Sequence, residues 1–116
     1  MPQAAVVTIT SKALPSILVI DDTHDNIRLL SDCLKPNFEI LAANNGEKGL
    51  AIARRFKPDL ILLDIMMPGL NGYDVCEDLK SDPETADIPV IFLTALYESN
   101  DEYKGLKAGA VDYISK

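Results

Sequence analysis

Short, uninterrupted apolar runs alternate along this chain with longer stretches of helical period, and a strand that is apolar at every position must be covered on both faces. Five runs read as strands: Ile17-Leu18-Val19-Ile20, Ile40-Leu41-Ala42, Leu60-Ile61-Leu62-Leu63, Val90-Ile91-Phe92-Leu93 and, more weakly, Ala110 to Ile114. Between the first two, Ile27, Leu30 and Leu34 repeat at helical spacing, with Thr23 placed to cap and Pro36 to stop the helix. Gly49, Ile52, Ala53 and Phe56 repeat the pattern and end before Pro58; Val75, Cys76 and Leu79 do so between Asn71-Gly72 and Ser81-Asp82-Pro83. A fourth, short helix is expected from Ser99 to Ala108, with Asp101 and Glu102 in its first turn and Gly109 at its end. Its Gly105 makes it the least stable of the four.

This alternation predicts a single open α/β domain built around a parallel sheet, and 116 residues suit one such domain. The net charge of −7 opposes direct contact with a nucleic-acid backbone, and the densest basic stretch, Arg54, Arg55 and Lys57, reads as the solvated face of a helix. Cys33 and Cys76 form no CxxC pair and fall at apolar positions of helical patterns, which reads as two small buried side chains in a reducing, cytoplasmic compartment. The apolar stretch Ala4 to Ile9 is too short for a signal core or a membrane span. Residues 1–15 are expected to be a flexible leader, the alternative being an extra edge strand through Val6 to Ile9.

Open parallel sheets bind ligands beyond the C-terminal ends of their strands, at the point where strand order reverses. The residues just past the apolar runs are Asp21 and Asp22, then Asp64, Thr94 and Lys116. Three acids, a hydroxyl and an ammonium are thereby brought to one edge. Crowded carboxylates repel, and a hard divalent cation removes that conflict; few carboxylates and all-oxygen ligands suit Mg²⁺, with Mn²⁺ as a substitute. An aspartate in such a setting is also a nucleophile towards phosphorus, with the cation, Lys116 and the Thr94 hydroxyl holding the oxygens on which charge builds. Asp64, which follows an apolar run at the expected centre of the sheet, is the best-held acceptor.

With these residues in place, the stretch from about Ser16 to Lys116 resembles the receiver domain of bacterial two-component response regulators. The resemblance lies in four blocks in order: Ile17 to Asp22, Pro58 to Gly72, Pro89 to Ala95 and Lys107 to Lys116. It implies the flavodoxin-like strand order 2-1-3-4-5, which the family itself exemplifies. It also implies a phosphorylation site at Asp64, metal acids at Asp21 and Asp22, a further metal ligand in the Met66 backbone carbonyl, a switch hydroxyl at Thr94 and a phosphate partner in Lys116. In such a switch Thr94 is drawn towards the phosphate and Tyr113 turns inward, so that the output face changes. The implied partners are a sensor histidine kinase or phosphotransfer protein, and an output domain beyond residue 116. Neither nucleic acid nor membrane is an implied direct partner of this segment.

Members of that family continue into a fifth helix, whereas this sequence stops at Lys116. Leu29, Leu30, Ile20 and strand-five residues are therefore expected to lie partly open and to invite a partner, a second copy giving a homodimer included. His24 reads as solvent-facing, and Met66 and Met67 as packing support for their loop. No GxGxxG or GxxxxGK[ST] fingerprint is present. An aspartate-nucleophile phosphatase of the haloacid dehalogenase kind is the rival enzyme reading, weakened by the adjacency of Asp21 and Asp22 and by the lack of a cap insertion. The other rival is an interaction module that keeps the fold and is never phosphorylated.

Overall fold

The computed structural model describes residues 14–93 in full, and Thr94 and the strand Asp112–Ser115 by backbone alone. Residues 1–13 of the expected leader 1–15, the helix expected from Ser99 to Ala108, Lys116 and the side chains of Thr94 and Tyr113 lie outside the described residues. Five strands, β1 (Ser16–Ile20), β2 (Glu39–Ala43), β3 (Leu60–Asp64), β4 (Val90–Thr94) and β5 (Asp112–Ser115), form one sheet of order β2-β1-β3-β4-β5. Every pairing is parallel. This is the flavodoxin-like order that the sequence implied.

Because side chains alternate across a strand, each run divides between the two faces of the sheet. Leu18, Ile20, Ile61, Leu63, Val90 and Phe92 point to one face and pack with Leu50 and Ala53 of α2 (Gly46–Phe56) and with Val75, Cys76 and Leu79 of α3 (Gly72–Ser81). Ile17, Val19, Leu62 and Leu93 point to the other, against Ile27, Leu30 and Leu34 of α1 (His24–Leu34). Burying a side chain of this size contributes about 1.5–3 kcal/mol each. Tyr73 meets Phe92 edge to face, with ring centroids 5.3 Å apart.

The helix ends are set locally. The Asn45 and Asn71 side chains accept hydrogen bonds from the Lys48 and Asp74 N–H groups, capping α2 and α3. α2 closes on Lys57 in the left-handed conformation, just before Pro58. Arg54 and Lys57 do more than face solvent: they reach Asp82 at 2.9 Å and Glu84 at 3.2 Å, tying α2 to the connection between α3 and β4. That connection is pinned from α3 as well, where Lys80 Nζ donates to the Ala86 and Ile88 carbonyls and the buried Thr85 hydroxyl donates to the Leu79 carbonyl.

Four packing expectations need correction. Cys33 is exposed, because the inward stripe of α1 is Ile27, Leu30 and Leu34 and Cys33 sits to one side of it. Phe56 is 55% exposed, since the buried face of α2 is Gly46, Gly49, Leu50 and Ala53 and its last turn projects past that face, with the Arg55 guanidinium 5.5 Å from the ring centroid. Ile20 is fully buried, because it points to the α2 face of the sheet and not to the α1 face. Met66 is 62% exposed, so only Met67 supports its loop by packing. Leu29 is exposed and Leu30 half-buried, in line with the expectation for α1.

Candidate functional site

β1 and β3 are neighbours in register, with Ile20 opposite Leu63, so the next residues along each chain, Asp21 and Asp64, arrive side by side at the C-terminal edge of the sheet. Both are buried, and Asp22 beside them is exposed. One carboxylate oxygen from each of Asp21, Asp22 and Asp64 lies within 4.8 Å of the others. The expected meeting of these three acids is thus present. β4 carries Thr94 to the same edge, one residue past the Asp64–Leu93 pairing, and β5 places Ser115 opposite Thr94. His24, as expected, is exposed at the first residue of α1.

Each buried acid is held by backbone donors at the turn that follows its strand. The Thr23 N–H donates to Asp21 Oδ1 at 2.9 Å, and the Asn26 amide donates to Asp21 Oδ2 at 3.2 Å. Thr23 is the cap residue of α1, and its own side chain makes no capping hydrogen bond. The Met66 N–H donates to Asp64 Oδ1 at 3.3 Å. After Met67 the loop turns through Pro68 and Gly69, where Gly69 has φ of 75°, a left-handed conformation in which a glycine carries no Cβ penalty.

Gly72 opens α3 directly against this loop. A Cβ at that position would lie 2.7 Å from Ile65 Cα and closer still to the Asp64 carbonyl oxygen, both backbone atoms. Its N–H donates to the Ile65 carbonyl at 3.0 Å. The sequence reading took Asn71-Gly72 only as the start of a helix; the close approach of two backbones could not be inferred from spacing. The three oxygens form a hard, anionic donor set that fits a divalent cation better than any soft metal. One of the three, Asp64, is a buried carboxylate at the end of a central strand, and phosphoryl transfer depends on such positioning and charge.

Comparison with known proteins agrees with this geometry. Residues 17–116 match the family described as the response regulator receiver domain. The response regulator PleD of Caulobacter vibrioides is 48% identical over 101 residues, covering 86% of this chain and 22% of PleD. RpaA of Synechocystis sp., named as a DNA-binding dual master transcriptional regulator, is 43% identical over 104 residues, covering 89% of this chain and 43% of RpaA. The chain thus spans less than half the length of either relative. Among solved structures, the N-terminal domain of a response regulator receiver protein from Methanoculleus marisnigri JR1 superposes with a TM-score of 0.80 at 36% identity, covering 87% of this chain and 83% of that one.

Proposed function

We propose, from the premise that this chain belongs to the response regulator receiver domain family of phosphoryl-accepting switches in two-component signalling, that Asp64 is its phosphorylation site. The observation that carries this reading is the register of β1 and β3, which sets the buried Asp64 beside Asp21 and brings Asp22 within the same 4.8 Å cluster. Asp21, Asp22, Asp64 and the Met66 backbone carbonyl are the ligands for Mg²⁺, with Mn²⁺ able to replace it. When bound, the cation supplies positive charge against the phosphoryl oxygens and relieves the mutual repulsion of the carboxylates.

In the transfer itself, an Asp64 carboxylate oxygen forms a bond to phosphorus as the bond from phosphorus to the donor's imidazole nitrogen breaks. The bonding pair stays on that nitrogen. The Met66 N–H holds the Asp64 carboxylate in place, and the Lys116 ammonium and Thr94 hydroxyl take up phosphoryl oxygens on the product. Thr94 and Tyr113 then carry the change to the output face. Loss of the phosphoryl group to water resets the switch, so the only reactions catalysed are the domain's own phosphorylation and dephosphorylation.

The donor is a histidine kinase or phosphotransfer protein of the cytoplasm. Residues 16–116 form the receiver unit, and the output lies in a further domain or a separate partner, a second copy of this chain included. The charge of −7 disfavours nucleic acid as a direct partner of this segment alone; it does not speak for an output domain. Among the described residues no helix is long and apolar enough to cross a membrane.

The test is incubation with Mg²⁺ and acetyl phosphate followed by intact mass. One added phosphoryl group is expected on the parent chain and none on Asp64→Asn. Equal labelling of the two proteins would place the acceptor elsewhere, and an unlabelled parent would mark an interaction module.

A further inference from the structure

The Asn26 side chain reaches back from the first turn of α1 to Asp21, and no step of the transfer just described uses it. It is the third helical residue after the Thr23 cap, the position from which a side chain ordinarily returns to the N–H of the cap residue. Here that N–H belongs to Asp21 Oδ1, and the Asn26 amide has turned to Asp21 Oδ2, at 3.2 Å. The start of α1 thus donates to both oxygens of a fully buried carboxylate.

We propose that Asn26 is a positioning residue for the divalent cation, fixing the Asp21 carboxylate so that it meets the ion alongside Asp22 and Asp64. The inference rests on the reading of Asp21 as a metal acid. Chemistry explains the residue type. A lysine or arginine at this position would also donate to Asp21, yet its charge would neutralise the carboxylate and compete with the ion. An amide donates without charge, so it orients the acid and leaves its negative charge for the metal. Partners that orient metal ligands in this way are commonly worth about tenfold or more in metal affinity.

Mn²⁺ binding, read by water-proton relaxation on the full chain, separates the possibilities, with the melting temperature of each metal-free protein recorded alongside. Asn26→Ala is expected to weaken Mn²⁺ binding about tenfold. Asn26→Gln, which keeps a neutral amide on a longer arm, is expected to recover part of that loss. Asn26→Lys is expected to stay at least as weak as Asn26→Ala despite its donors. If Asn26→Ala melts lower without metal yet binds Mn²⁺ as the parent does, Asn26 only supports the helix and the inference is overturned. If the parent itself binds no Mn²⁺, or Asp22→Asn and Asp64→Asn bind it as the parent does, the metal reading fails first and takes this inference with it.

Discussion

Cys76 and Cys33 look alike in the sequence, but their surroundings in the fold give their thiols different chemistry. Cys76 is fully buried between α3 and the sheet, and desolvation there pushes its thiol up to about 11 from 9.0; the nearby Lys80 charge works against that rise and Glu77 adds to it. Since the folded protein holds this proton more tightly than the unfolded chain does, the stabilisation is complete below pH 9 and is lost as the pH rises from 9 through about 11. In a Cys33→Ser background, urea midpoints at pH 8, 9 and 10 should therefore fall more steeply with Cys76 present than with Cys76→Ala. The extra slope should approach about 1.4 kcal/mol per pH unit above pH 9. Parallel curves for the two proteins would show that the buried thiol is not linked to folding. Asp82 has the opposite sign. The Glu84 N–H, and after it the Arg54 guanidinium, hold its carboxyl below the usual carboxylate range, so its contribution is present at neutral pH and is lost as acid protonates it.

The start of α3 couples helix packing to the acidic edge. An alanine at Gly72 would press its Cβ on the Asp64 carbonyl and on Ile65 Cα, neither of which can swing aside as a side chain would. Gly72→Ala is therefore expected to cost about 1–3 kcal/mol in urea unfolding and to weaken Mn²⁺ binding, because the Asp64–Met66 turn must shift. Gly69→Ala is the matched control. Nothing lies within 4 Å of its added Cβ, so only the left-handed backbone is strained, at about 1–2 kcal/mol, and metal affinity should hold. Equal metal binding by both variants would mean that close packing at Gly72 does not position Asp64. The element scale also shows what the sequence could reveal. The strands were legible because each is a short apolar run: four of the five differ from the expected runs by a single residue at one or both ends, and the weakest, placed at Ala110 to Ile114, lies at Asp112–Ser115. Asp21, Asp22 and Asp64 were legible because strand ends and a known sheet rule locate them without coordinates. Helical period failed for Cys33 and Phe56, since it marks a repeating stripe but not its width or the point where a helix outruns the sheet. The Arg54 and Lys57 ion pairs depend on how distant segments meet, which no local pattern encodes.

For the molecule as a whole, the fold brings Asp64 to the adjacent pair Asp21 and Asp22, from which the unfolded chain keeps it apart. In a chain of net charge −7, three carboxylates stand within one cluster, two of them buried, and the repulsion between Asp64 and the Asp21-Asp22 pair is present only in the folded state. A cation bound there stabilises the folded chain and not the unfolded one, adding about 2.7 kcal/mol when its concentration is a hundred times its dissociation constant. For a domain of this size, 1 kcal/mol corresponds to a rise of roughly 4–8 °C in melting temperature. Thermal scans in rising Mg²⁺ should show the melting point climbing with the logarithm of concentration, and chelation should reverse it. Asp64→Asn makes the argument two-sided, because it removes one charge from the cluster while keeping the shape of the side chain. Without metal it should melt at or above the parent, since repulsion is relieved; with Mg²⁺ it should gain much less, since a ligand is gone. A general salt effect would raise both proteins alike, and Na⁺ at matched ionic strength would reproduce it. If the variant melts well below the parent without metal, Asp64 contributes more through its hydrogen bonds than it costs through repulsion, and the picture of a strained acidic edge relieved by a cation would not stand.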